Sequence, residues 1–146
     1  MKNIFLLLVT FAIGCSSVQK PEVIQTEAAP KALGAYSQAI KANGLIFVSG
    51  QLGINPVTGS ASDDLETQTK QVMENLKEIL KKAGVGFDSV VKTTIFLKSI
   101  ADLKKVNEIY GSYFNKGIFP ARSTVEVGAF PKNFLIEIDM TAIVKN

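Results

Sequence analysis

Sixteen residues of this chain are lysine or arginine, and only one of them, Arg122, is an arginine; histidine is absent altogether. Histidine is the usual proton carrier near neutral pH, so most nucleophile-activation schemes have no base to run on. A guanidinium offers what lysine does not, a planar fork that is always charged and grips a carboxylate or phosphate through two parallel hydrogen bonds. A lysine-biased composition would also leave one surface arginine by chance, so the count alone does not decide. Acids are the other chemistry-bearing residues. In the run Leu135-Ile136-Glu137-Ile138-Asp139-Met140, two carboxylates alternate with apolar residues, an environment that shifts a carboxyl group and fits it for proton transfer.

The elements that carry these groups can be read from periodicity and punctuation. Val23 to Thr26 reads as a short strand. Ser37 to Ala42 and Leu45 to Ser49 flank Asn43-Gly44, a dipeptide that favours the type I′ turn of a β-hairpin. Gly50, Gly53, Pro56 and Gly59 then predict an irregular loop. Asp63 and Glu66 make a capping pair for a long helix with Leu65, Val72, Leu76, Ile79, Leu80 and Ala83 on one face, stopped by Gly84. Val90 to Leu97 is a β-branched strand. Ser99 caps a second helix that carries Leu103, Val106, Tyr110, Tyr113 and Phe114 and ends at Gly117. Ser123 to Val127 and Leu135 to Val144 are the last strands. The order β-β-β-α-β-α-β-β predicts a two-layer α+β domain, a mixed sheet packed on two helices.

Alternation assigns faces. Ile136, Ile138, Met140, Ala142 and Val144 form the core side of the last strand; Leu135, Glu137, Asp139, Thr141 and Ile143 point the other way. Arg122, Thr124 and Glu126 share one face of the preceding strand. If the two strands lie near one another, Arg122 and Glu137 both line the sheet face turned from the helices. That face is too apolar to stand in water alone, which suggests that another subunit covers it.

The N-terminus is organised differently. Met1-Lys2-Asn3 precedes an apolar run from Ile4 to Ile13, about half the ~20 residues a bilayer-spanning helix needs. Such a segment predicts a signal peptide over residues 1–14. Ala12-Ile13-Gly14-Cys15 resembles a lipobox, which makes Cys15, the only cysteine, a lipidation site and rules out an internal disulfide. Residues 15–22 read as a lipidated tether and 23–146 as the folded domain. The expected product is an exported lipoprotein of the cell envelope, touching membrane through its anchor only. Net charge is +3, and no lysine or arginine block exceeds two residues, so nothing in the charge calls for nucleic acid.

Six segments stand in the order and spacing of one family. Gly34-Ala35-Tyr36-Ser37-Gln38-Ala39, Val48-Ser49-Gly50-Gln51, Val91 to Leu97, Val106-Asn107, Phe119-Pro120-Ala121-Arg122-Ser123 and Ile136-Glu137-Ile138 resemble the YjgF/RidA family over nearly everything from Val23 onward. The resemblance implies a chorismate-mutase-like homotrimer with sites in clefts between subunits. It also implies hydrolysis of reactive 2-enamines and 2-imines such as 2-aminoacrylate to 2-keto acids and ammonia, a 2-iminobutanoate/2-iminopropanoate deaminase activity without metal or organic cofactor. Arg122 would clamp the substrate carboxylate and Glu137 would activate water and shuttle protons. Tyr36, Ser49, Gly50, Asn107 and Thr124 match the substrate-binding positions. Two departures are Thr124, where many members have cysteine, and Ala35, where proline is usual. The alternative reading is a non-enzymatic binder of small carboxylates using the same cleft. A ribonuclease role, often attached to the family's names, lacks a histidine for acid–base cleavage.

Overall fold

The computed structural model describes residues 20–114 and 118–144. Cys15, the apolar run before it and Gly117 lie outside those residues. The order of elements is the expected one: β1 (Glu22–Ile24), β2 (Ala39–Ala42), β3 (Leu45–Leu52), α1 (Leu65–Lys82), β4 (Val90–Leu97), α2 (Leu103–Gly111), β5 (Ala121–Glu126) and β6 (Ile136–Ile143). Short 3-10 turns at Phe87–Ser89 and Ile100–Asp102 lead into β4 and α2. The six strands form one sheet in the order β1-β2-β3-β6-β4-β5. All neighbours are antiparallel except β4 and β5.

Both helices lie on one face of this sheet. The β6 alternation places Ile136, Ile138, Met140 and Ala142 against Val72, Met73, Leu76, Ile79 and Leu80 of α1, all buried in one core with Ile46, Ile95, Leu97 and Val106. Asn43 and Gly44 both adopt positive φ, as the β2–β3 turn requires. Gly84 takes the left-handed cap that ends α1.

Three local expectations are corrected. Asp64, not Asp63, caps α1: its carboxylate accepts from the Thr67 amide at 2.8 Å, and Glu66 makes no reciprocal bond. Asp63 is instead engaged by the Asn133 side-chain amide across the molecule. Ser99 heads the 3-10 turn without a side-chain cap bond. The second helix stops at Gly111, well short of Gly117, because Tyr113 and Phe114 leave the helical path to pack edge-on against Phe87.

Among the described residues no layer covers the opposite face of the sheet. Val23, Phe47, Val125 and Ile143 are each between 42% and 57% exposed there, enough apolar surface to mark the face as one built to be covered. The edge strand β5 is almost wholly exposed. Near the end of β3 the pairing with β6 slips between Val48 and Gln51, so Ser49 and Gly50 form a bulge. The Gln51 side chain turns back to donate to the Ser49 and Gly50 carbonyls at 3.1 and 3.2 Å, which satisfies two groups the bulge removes from the ladder.

Candidate functional site

The candidate residues gather into two clusters. The first is built on β5 and α2. Arg122 pairs in parallel register with Thr93, whose side chain is fully buried on the helix side, so Arg122 projects toward α2. There its Nη1 donates to Asn107 Oδ1 at 2.8 Å, and the guanidinium lies over the Tyr110 ring, 5.2 Å from its centroid. Asn107 and Tyr110 are three apart on α2 and so share a face. The Tyr110 hydroxyl bonds Thr93 Oγ1 at 3.0 Å, which fixes the ring that supports the arginine. Burial raises the Tyr110 pKa, so the phenol stays neutral and serves as a platform rather than a charge.

Together with Gly111, Phe119 and Pro120 these residues line an open hollow of about 440 Å³. Thr124 lies two residues along on the same face, half-buried. Among the described residues no carboxylate forms an ion pair with Arg122. Its fork is therefore oriented by one amide and one ring while its charge remains available to an anion.

The second cluster is built on β3 and β6 on the opposite side of the sheet. Glu137 pairs with Leu52 and Phe96, in phase with the uncovered face. Its side chain runs over the bulge at Gly50, where a Cβ would overlap the carboxylate and sit 2.7 Å from Cδ. This close approach is what Gly50 contributes, since its φ lies outside the left-handed region. Tyr36, Ser49 and Leu52 complete a depression of about 350 Å³ around the carboxylate. The Glu137 pKa is raised, first by burial and then by the like charge of Asp139 on the same strand face.

The loop holding Tyr36 is braced locally. The Ser49 hydroxyl donates to the Ser37 carbonyl at 2.7 Å, and the Tyr36 hydroxyl accepts from the Leu33 amide at 3.3 Å. Ser49 thus spends its proton on the loop and offers a ligand only acceptor lone pairs.

One expectation is overturned here. Arg122 and Glu137 do not share a sheet face. β4 stands between β5 and β6, and the register through it sets the two side chains on opposite sides. Within one copy the structure unites Arg122, Asn107 and Thr124, and separately unites Glu137, Tyr36, Ser49 and Gly50. Tyr110 was legible only as a core aromatic; its i,i+3 spacing from Asn107 is the signal for its second role under the guanidinium. Asp139 carries a further signal: its carboxylate accepts from the Thr94 amide at 3.1 Å, which holds its charge beside Glu137.

The profile described as Endoribonuclease L-PSP matches residues 26–144. The chain is 54% identical to Reactive Intermediate Deaminase A, chloroplastic, of Arabidopsis thaliana over 134 residues, 91% of this chain and 71% of that one. It is 48% identical to the 2-iminobutanoate/2-iminopropanoate deaminase of Homo sapiens over 122 residues, 84% and 88% of the two chains. The crystal structure of YyfA, a Rid-family protein of unknown function from Yersinia pestis, superposes with a TM-score of 0.83 at 51% identity, covering 86% of this chain and all of the other. The six-stranded sheet with two helices is the fold of those structures, and the chain belongs to the endoribonuclease L-PSP family, the YjgF/RidA family, which includes imine deaminases.

Proposed function

We propose that this protein hydrolyses small 2-imino and 2-enamino carboxylates to 2-keto acids and ammonia, at a site completed by two copies of the chain. The observation that carries the reading is the division of the candidate residues. A charged fork that no carboxylate among the described residues pairs stands on one side of the sheet, and a carboxyl group with a raised pKa stands on the other. Each lines an open half-pocket, and the sheet face bearing Glu137 is apolar and uncovered. A homotrimer that packs the edge of one copy against the open face of the next would bring Arg122 of one protomer to Glu137 of its neighbour and cover the apolar residues in the same step.

In that cleft Arg122 binds the substrate carboxylate through two hydrogen bonds, with Asn107 and Tyr110 holding the guanidinium in plane. Thr124 and the Gly50 backbone line the space beside it, and Tyr36 closes one wall. An enamine first takes a proton at its terminal carbon and gives one up from nitrogen to become the imine. Glu137 accepts a proton from water as the water oxygen attacks the imine carbon, and returns it to nitrogen. Glu137 then passes the hydroxyl proton of the tetrahedral adduct to nitrogen as the C–N bond breaks, which releases ammonia and leaves the keto acid. No electrons change hands and every atom comes from substrate and water. Within one copy burial and Asp139 raise the Glu137 pKa toward the range in which a carboxyl group shuttles protons, and a neighbour's Arg122 would act against that shift.

The N-terminal reading stands beside this one. Residues 1–14 act as an export signal and Cys15 carries the lipid, so the domain works tethered at the cell envelope.

The test is to generate 2-aminoacrylate in situ with a dehydratase and follow keto-acid release. Acceleration is expected from the wild-type protein and not from Arg122→Ala or Glu137→Gln. Mixing the two inactive variants under conditions of subunit exchange restores part of the rate, because each supplies the half the other lacks. Acceleration that fails to return on mixing would refute the shared site. A wild-type protein that binds pyruvate without accelerating hydrolysis would replace the enzyme with a carboxylate-binding protein.

A further inference from the structure

Glu137 depends for its placement on a side chain that lines no part of its pocket. Gln68 lies in the second turn of α1 on the face turned to the sheet and is fully buried. A buried primary amide is strongly unfavourable unless its donors and acceptor are met. Here each is met by backbone, once from just before the helix and twice from a distant part of the chain. Nε2 donates to the Ser62 carbonyl at 2.6 Å and to the Asn133 carbonyl at 2.9 Å, and Oε1 accepts from the Leu135 amide at 2.9 Å.

Two of those three partners belong to the segment that enters β6, and Leu135 is two residues before Glu137. The other side of the Leu135 peptide is held as well, its carbonyl accepting from the Lys98 amide at 2.9 Å. The α1 backbone at the same residue also supports the far end of β3. A Cβ on Gly53 would stand 2.8 Å from Gln68 Cα, so the chain leaving β3 rests directly on this turn of the helix. One residue therefore bridges the end of β3 and the start of β6, the strand that carries the carboxylate. Those strands meet where Leu52 pairs with Glu137.

We propose that Gln68 is a positioning residue for Glu137: its amide pins residues 133–135 so that β6 begins in the register that lays the Glu137 carboxylate over Gly50. The inference rests on the reading of Glu137 as the water-activating group. The connection from β5 to β6 has no regular structure and includes Lys132 at positive φ; the Asn133 side chain ties it to Asp63 at the surface, and Gln68 holds its backbone from the core. An apolar residue at position 68 takes the Gln68 bonds from the Leu135 amide and from the Ser62 and Asn133 carbonyls, all partly buried contacts, and the segment relaxes toward water and takes the start of β6 with it. Arg122 stands on the other side of the sheet and is untouched, so the loss falls on turnover and not on substrate grip. The titratable groups beside Glu137 are Asp139 on its own strand and the Tyr36 phenol across the depression. β4 and the 127–131 segment present apolar side chains to it, Phe96 and Val127 among them.

The experiment compares wild type with Gln68→Met, which keeps volume and removes the amide, and Gln68→Glu, which keeps an acceptor for Leu135. Two readouts are taken on the full chain: keto-acid release, and the carboxyl carbon-13 titration of Glu137 without substrate. The expected result for Gln68→Met is a kcat lowered at least tenfold with KM within twofold, and a Glu137 midpoint displaced toward the ordinary carboxylate range. Gln68→Glu is expected to fall between, and it carries the comparison if Gln68→Met does not fold. A rate loss that merely follows the folded fraction in a thermal melt, with the Glu137 midpoint unmoved, would overturn the proposal. If wild type shows no deaminase activity and the midpoint still moves, the positioning stands and the catalytic reading falls.

Discussion

Gly50→Ala isolates the contact on which the Glu137 pocket turns. The Gly50 φ lies outside the left-handed region, so alanine brings no backbone strain, only a methyl group. That methyl group would overlap one Glu137 carboxylate oxygen, stand 2.7 Å from Cδ and touch Cγ at 3.0 Å. The strand cannot yield, because Glu137 is paired on both sides, to Leu52 and to Phe96. The side chain must therefore rotate away. Overpacking in a closed core costs about 1–3 kcal/mol, and a half-exposed carboxylate with solvent to swing into belongs at the low end, about 1 kcal/mol. For a domain of this size that lowers Tm by about 3–5 °C. The effect on catalysis is far larger, since displacing a reacting group by about 1 Å costs about 10²-fold in rate. We expect kcat to fall about 100-fold in the dehydratase-coupled assay while KM, set by Arg122 on the other half-site, changes less than about threefold. In a Glu137→Gln background the same substitution should add almost nothing, as two changes acting through one group are not additive. A Gly50→Ala protein that keeps kcat within threefold of wild type would show that the carboxylate does not act from its place over the bulge.

Three further outcomes follow from the same geometry. Arg122→Lys keeps the charge and loses the fork, the Asn107 bond and the ring stacking, and should lower kcat/KM by about 10- to 100-fold in the coupled assay; full activity would refute the bidentate clamp. Asp139→Asn keeps the oxygen that accepts from Thr94 and removes the charge that helps raise the Glu137 pKa. With a folded pKa above 4.5, ionising Glu137 costs the fold stability as pH climbs from about 4.5 to the raised value. Asp139→Asn should therefore increase stability at neutral pH in thermal melts and move the acidic limb of the pH–rate profile to lower pH; an unmoved limb would remove Asp139 from the account. Metabolic labelling with a fatty acid should mark the wild-type protein and not Cys15→Ser, and label on the variant would dispose of the anchor at Cys15.

Most of the element order was legible because local rules and burial agree. Asn43-Gly44 sets a turn, Gly84 ends a helix, and alternation along 136–144 separates core from open face without reference to any partner. The cap shifted from Asp63 to Asp64 because both can accept from the first turn, and Asn133, 70 residues away, claims Asp63. The early end of α2 was hidden for a similar reason: Tyr113 and Phe114 fit a helical face by spacing, but the ring of Phe87 from another element draws them off it.

The shared face of Arg122 and Glu137 failed on the same ground. Alternation gives the phase of each strand by itself. It cannot say that β4, earlier in the chain, will slip between β5 and β6, nor that β5 will run parallel to it. That interposed strand changes the meaning of the site. Had the two residues faced each other within one copy, they would have formed an ion pair, and the fork would be occupied by its own chain. Held on opposite sides, neither can neutralise the other until a second copy arrives. The carboxylate keeps its raised pKa and the guanidinium keeps its charge. A substrate anion then meets an arginine whose orientation is already fixed by Asn107 and Tyr110. In the proposed assembly the subunit that supplies Glu137 would bring with it the apolar wall that excludes water from the cleft. On the proposed function, a sheet that separates its charged groups is thus a precondition for a site that would work only when assembled.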